Sequence, residues 1–197
     1  MGYDYEYEWD KEYCYPHSGV LRNRLGIKNR DELMIAEREI TSLKIAIAKA
    51  QPILGDFDFE HLKQIHKFIF EDIYAWAGEF RHVNIAKGNH FCLHQNIEMY
   101  AGSIFGKLKA ENYLLDSKES IALRLAYYLS EINVLHPFRE GNGRAQRLFI
   151  EYLADHAGYK VDSSSVSAEE MIVASAESFA RDYTKINEMF ERITTKK

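Results

Sequence analysis

Residues His136 to Arg147 read HPFREGNGRAQR and gather an imidazole, a carboxylate, a glycine-rich turn and two guanidinium groups within a dozen positions. Gly141, Asn142 and Gly143 tolerate the open backbone angles that turn successive N–H groups toward one point. A helix starting there adds its free amides and the positive end of its dipole, which makes a cradle for an anion. Arg144 and Arg147 are three apart on that helix, so they emerge side by side and can both grip phosphate oxygens through charge-assisted bonds. A polyphosphate fits this pair better than a single carboxylate. Glu140 stands immediately before the turn, where an acid repels phosphate unless a cation lies between them, and one carboxylate with phosphates and water suits Mg²⁺. His136, four residues earlier, can take the proton from an incoming hydroxyl as a neutral imidazole. Together these parts describe phosphoryl or nucleotidyl transfer, and Phe138 among them is expected to turn inward and pin the loop. Taken singly, a histidine, a Gly-Asn-Gly turn or two arginines on a helix face more often serve structure. Structure alone does not require all of them in this order.

The elements that must position these groups are helical. Only three prolines interrupt the chain, and its apolar residues recur at steps of three and four. The spacing of Leu33, Ala36, Ile40, Leu43 and Ile47 predicts a helix over 31–50, stopped by Pro52 and Gly55. A second helix over 58–74 has Asp58 as N-cap and Leu62, Ile65, Ile69 and Ile73 as its buried stripe. Helices over 118–134, with Ile121, Leu125, Tyr128, Leu129 and Ile132, and over 143–157, with Leu148, Phe149, Tyr152, Leu153 and His156, form a central pair. The chemistry-bearing segment is the loop between them. Residues 80–93, FRHVNIAKGNHFCL, break the helical pattern and read as a short exposed hairpin turning at Gly88-Asn89. A two-stranded ribbon must lean on the helices, and an unpaired edge can hold another protein's backbone.

Composition bounds the rest. A chain of 197 residues with 46% hydrophobic and 28% charged residues buries one core and keeps a polar surface. No repeat or linker divides it, so a single mainly α domain over 1–197 is expected. Twenty-five Lys+Arg against 30 Asp+Glu leave a net charge of −5, which disfavours general nucleic-acid binding. No apolar run approaches the roughly 20 residues of a membrane span, and the start MGYDYEYEWDKEY lacks the layout of a secretory signal. Cys14 and Cys92 have no CxxC spacing and form neither a zinc site nor a disulfide framework, consistent with a cytoplasmic protein. Residues 1–17 alternate tyrosines with acids and form an N-terminal arm to which no function is assigned.

The motif resembles the signature of the Fic family, His-x-Phe-x-(Asp/Glu)-Gly-Asn-Gly-Arg-x-x-Arg, at every fixed position. The likeness to small bacterial Fic toxins extends to YPHSGVLRNRLGI near the start, to IYAWAGEFRHVNIAKG across the hairpin and to Gly158-Tyr159. It implies a Fic-type helical domain that transfers AMP from ATP to a Tyr, Ser or Thr hydroxyl of a target protein, releasing pyrophosphate. By position, His136 is then the base and Glu140 the Mg²⁺ ligand. Gly141, Asn142 and Gly143 form the phosphate turn, and Arg144 and Arg147 hold the outer phosphates. The hairpin over 80–93 becomes the family's flap, with Ile85, Lys87 and Gly88 meeting the target segment.

The resemblance also implies restraint by a helix bearing (Ser/Thr)-x-x-x-Glu-(Gly/Asn), whose carboxylate competes for the second motif arginine. Ser165 with Glu169 and Thr184 with Glu188 come nearest, and both fail at the last position, which is Glu170 or Met189. The expected brake is therefore a separate small antitoxin, with a degenerate internal helix through Thr184 and Glu188 as the other possibility. Proteins of this likeness modify the ATPase subunits of type II topoisomerases, although no residue here specifies that target. Two rivals are a Fic/Doc-type phosphotransferase, which Glu140 and Gly143 speak against, and a non-catalytic nucleotide-responsive binding module.

Overall fold

In the computed structural model, which describes residues 11–87, 89–115 and 117–197, the central pair is α4 (Ile121–Leu135) and α5 (Asn142–His156). Both helices are buried along most of their length, and α2 (Phe59–Phe70) packs across α5. The stripe Leu62, Ile65 and Ile69 of α2 is fully buried, as are Leu125, Tyr128 and Ile132 of α4. Burying such side chains stabilises the fold by roughly 1.5–3 kcal/mol each. Helix α3 (Ile97–Ala110) packs on α4, as do α6 (Ala168–Phe179) and α7 (Thr184–Ile193).

Helix α1 (Arg30–Ala50) starts where the Asn29 side chain accepts hydrogen bonds from the Asp31 and Glu32 amides. Its inward face differs from the expected stripe. Leu33, Thr41 and Ala48 are buried, whereas Leu43 and Ile47 are 64% and 42% exposed. The buried face thus steps from Leu33 through Glu37 to Thr41, carrying polar groups toward α2 and α5.

Two small antiparallel pairs complete the described residues. Strand β3 (Tyr159–Val161) pairs with β4 (Thr194–Lys196), closing the C-terminal helices against the end of α5. The predicted hairpin is present with strands of two residues each, β1 (Ala86–Lys87) and β2 (Asn89–His90), in the register Ala86 to His90. Its turn residue Gly88 lies outside the described residues, as do 1–10 of the N-terminal arm. The end of that arm is packed: Tyr13 is buried and meets Trp76 edge to face at 5.6 Å. No helix among the described residues is long and apolar enough to cross a membrane.

Candidate active site

The loop from His136 to Gly141 is built by backbone demands at both ends. Helix α4 stops at His136, which adopts a left-handed conformation with φ 42°, and α5 starts after Gly141 at φ 81°. A Cβ at Gly141 would lie 2.2 Å from the Phe70 ring, so both the angle and the space require glycine there. Between these points the loop is tied to its own helix. The Asn142 side chain accepts from the Phe138 amide at 2.8 Å and donates to the Phe138 carbonyl at 2.7 Å. As the spacing predicted, Phe138 is fully buried, and its ring stacks on that of His66 at 3.8 Å.

His66 secures the turn from below. Its Nδ1 accepts from the Gly78 amide at 2.9 Å, so Nε2 carries the proton and donates to the Glu140 carbonyl at 2.9 Å. Complete burial pushes this imidazole down to about 3, so it stays neutral and the tautomer is fixed by its partners.

Glu140, Gly141, Asn142, Gly143, Arg144 and Arg147 all line one cavity of about 1280 Å³, bounded by the 14–22 segment, α1, α5 and the start of α6. The two arginines are in different states. Arg144 donates to Glu37 Oε1 at 2.5 Å and to Thr41 Oγ1 at 3.0 Å, and its guanidinium lies 4.7 Å from the centre of the Phe70 ring. Glu37 also accepts from the Tyr74 hydroxyl. Arg147 has no hydrogen-bond or ion-pair partner among the described residues, and its Nη1 lies 3.0 Å from where a Cβ on Gly143 would stand. Burial first, and then the neighbouring Arg144, make its positive charge harder to hold than usual. An unpaired, partly desolvated guanidinium over a helix N-terminus calls for an anion.

Glu140 is held above the usual carboxylate range by burial and by Glu37, against the opposing pull of the Gly141 amide, Arg144 and Arg139. Its Oε1 accepts from the Gly141 amide at 2.8 Å and lies 3.7 Å from Arg144. Two crowded carboxylates beside an anion cradle suit a small divalent cation, and among the described residues no cluster of three or more His, Cys, Asp or Glu forms a self-sufficient metal site. The arrangement thus fits Mg²⁺ bound by one or two carboxylates plus phosphate and water.

His136 stands apart from this group. It does not line the cavity, lies at the other end of the loop, and is 7% exposed beneath the hairpin. The Phe91 ring stacks on its imidazole at 3.7 Å, and its Nδ1 lies 3.2 Å from the Asn133 carbonyl, a contact in which Nδ1–H donates, so the tautomer able to act as a base is the one with its proton on Nδ1. Of the expected flap residues, Ile85 is buried and accepts from the Phe91 amide at 3.3 Å, so its side chain packs inward, while Lys87 sits in β1.

Four side chains outside the expected set shape the site: Glu37, Thr41, His66 and Tyr74. Only Glu37 and Thr41 left a readable signal, as polar residues at successive four-residue steps from Leu33.

A helical domain with a glycine turn, a helix N-terminus and an unpaired arginine facing one large cavity is a polyphosphate-binding fold. The chain belongs to the Fic/DOC family, whose model matches residues 56–154. It is 44% identical over 170 residues to the protein adenylyltransferase VbhT of Bartonella schoenbuchensis, covering 85% of this chain and 35% of that one. It is also 40% identical over 172 residues to "Probable protein adenylyltransferase y4lH" of Sinorhizobium fredii, covering 86% of this chain and 88% of the relative. The fold matches the crystal structure of BepC from Bartonella tribocorum with bound AMPPNP at a TM-score of 0.88 and 26% identity, over 97% of this chain and all of that one.

Proposed function

We infer that this chain is a protein adenylyltransferase, which moves AMP from ATP to a Tyr, Ser or Thr hydroxyl of a target protein and releases pyrophosphate. The observation that carries the reading is Arg147, unpaired among the described residues and held over Gly143 at the α5 N-terminus. The triphosphate lies along the Gly141–Gly143 turn, with the outer phosphates against Arg147 and Arg144. Arg144 reaches phosphate by sharing or exchanging its Glu37 contact. The target hydroxyl oxygen bonds to the α-phosphorus while the bond to the pyrophosphate oxygen breaks, and His136 Nε2 receives the hydroxyl proton. Glu140 would hold Mg²⁺, which when bound neutralises phosphate charge. The flap, with Ile85, Lys87 and Gly88, aligns the target segment by strand-like pairing.

Restraint fits a separate small antitoxin that offers a glutamate to Arg147. Neither candidate internal carboxylate lines the cavity: Glu188 is exposed on α7 and Glu169 sits at the start of α6. The type II topoisomerase ATPase subunits are the target class to try first, in the cytoplasm where ATP is available. Incubation of cell extract with the protein, Mg²⁺ and ATP labelled at the α- or the γ-phosphate tests the reaction. Label should pass to protein from the α position only. His136→Ala should reduce it by about 10²–10⁴-fold, the usual contribution of a positioned base. Transfer of γ-label to protein would mark a phosphotransferase instead.

A further inference from the structure

The flap leaves the body after residue 80 and returns before α3, and both of its roots land on the same spot, the C-terminal end of α4. The Arg81 amide donates to the Pro137 carbonyl at 2.8 Å, and the Cys92 amide donates to the Val134 carbonyl at 3.0 Å. Between these roots the Arg81 side chain, 0% exposed, spreads its donors over four carbonyls. Nε meets His136 at 2.9 Å, Nη1 meets Val83 at 2.8 Å, and Nη2 meets Cys92 at 2.5 Å and Leu135 at 3.5 Å. Val83 belongs to the outgoing root and Cys92 to the returning one, while Leu135 and His136 are the last carbonyls of α4 and the base itself.

No carboxylate pairs with this guanidinium among the described residues. Burying a cation without a counter-ion is costly, and burial pushes Arg81 down to about 10, still charged at neutral pH. The carbonyls at a helix C-terminus have no intrahelical donors and sit at the negative end of its dipole, so they supply part of the compensation. Only a planar fork with five N–H donors reaches both flap roots and the helix end at once; an ammonium offers its three donors from a single point. A second tie runs in parallel, because Phe91, next to Cys92, lays its ring on the His136 imidazole at an interplanar angle of 17°.

We propose that Arg81 is a positioning residue that joins the two flap roots to the end of α4, so that the target-aligning hairpin and the His136 imidazole move as one body. The inference rests on the adenylyltransferase reading for what the flap and His136 do. A buried arginine that merely stabilised the fold would lower the fraction of active molecules. One that sets register between target and base changes how each active molecule handles its target.

The test uses the full chain with Arg81→Lys and, as acceptor, the protein that the α-label experiment identifies, with rates expressed per site that binds a non-hydrolysable ATP analogue. The expected result is analogue affinity within twofold of the parent, a raised target KM, a lowered kcat, and kcat/KM down about 100-fold. Unchanged kcat/KM per binding site, or a lowered kcat at unchanged KM, overturns the proposal. Hydrogen exchange on the parent protein gives a second readout that needs no variant. The Cys92 amide should be protected as strongly as the amides in the last turn of α4, and exchange as fast as in a free ribbon also overturns the proposal. If the parent labels no protein at all, the adenylyltransferase reading fails, while hydrogen exchange still decides whether the flap and α4 are one body.

Discussion

Gly143 shows how much of this site rests on a missing side chain. A Cβ there would lie 3.0 Å from Arg147 Nη1, closer than the guanidinium tolerates without shifting, yet Gly143 sits inside α5 with no positive φ. Gly143→Ala should therefore separate two properties that usually fall together. Alanine stabilises a helix relative to glycine by roughly 0.5–1 kcal/mol, so the melting temperature should hold or rise. The displaced Arg147 should cost about tenfold in ATP affinity, or roughly 1.4 kcal/mol, measurable by titration calorimetry. Unchanged affinity would remove Arg147 from the phosphate site. Gly141→Ala should behave in the opposite way, because φ 81° and a 2.2 Å approach to the Phe70 ring act on the fold itself. Strain and overpacking together should lower unfolding stability by about 3 kcal/mol, read from urea denaturation.

At the scale of elements, the motif loop is held by one side chain more than by its glycines. Asn142 closes a two-bond ring with the Phe138 backbone while standing as the first residue of α5, so the loop and the helix start cannot move separately. Asn142→Ala removes both bonds and leaves two buried backbone groups unpartnered, which should cost about 2–4 kcal/mol in unfolding free energy. Asn142→Asp keeps the acceptor but sets a buried carboxylate oxygen against the Phe138 carbonyl, so near neutral pH it should be at least as destabilising as alanine. A loss below about 1 kcal/mol for Asn142→Ala would mean that the ring does not hold the loop.

The same scale shows what could be read beforehand. Helices α2, α4 and α5 were legible because their buried faces are apolar at regular spacing, and the motif was legible because its chemistry is consecutive in the chain. Helix α1 was legible as a helix, but its face was assigned through Leu43 and Ile47, which point to solvent. The true inward face carries Glu37 and Thr41, whose partner Arg144 is more than a hundred residues away, and a hydrophobic pattern registers only apolar burial. Arg81 was hidden for a related reason. Its ligands are backbone carbonyls, which leave no mark in side-chain identity.

At the scale of the whole molecule, two buried histidines whose imidazoles burial holds neutral, His61 and His66, link stability to acidity. His61 donates from Nε2 to the Ile53 carbonyl at 2.8 Å while Nδ1 accepts from the Phe57 amide at 3.3 Å, and His66 is held in the same manner between Glu140 and Gly78. Burial lowers both below the ordinary histidine value, His66 to about 3. In the unfolded chain both protonate as pH falls through about 6.5, whereas the folded protein does not take up those protons, so the stability they support is complete above that pH and lost below it. Each histidine contributes a slope of about 1.4 kcal/mol per pH unit once its unfolded form is protonated, and for His66 the loss continues until pH nears its folded value of about 3. Glu140 works in the opposite direction, since its carboxyl is raised by burial and by Glu37 and the folded state therefore gains relative stability as it protonates. Two groups oppose one, and the net expectation is a urea midpoint that falls between pH of about 7.5 and about 5.5. His66→Gln can bridge the same two backbone groups without titrating, and it should be less stable than the parent at the higher pH but lose less on acidification. A parent midpoint that stays level or rises toward acid would show that these imidazoles protonate inside the folded protein, and with it the neutral bridge under the motif loop would fall.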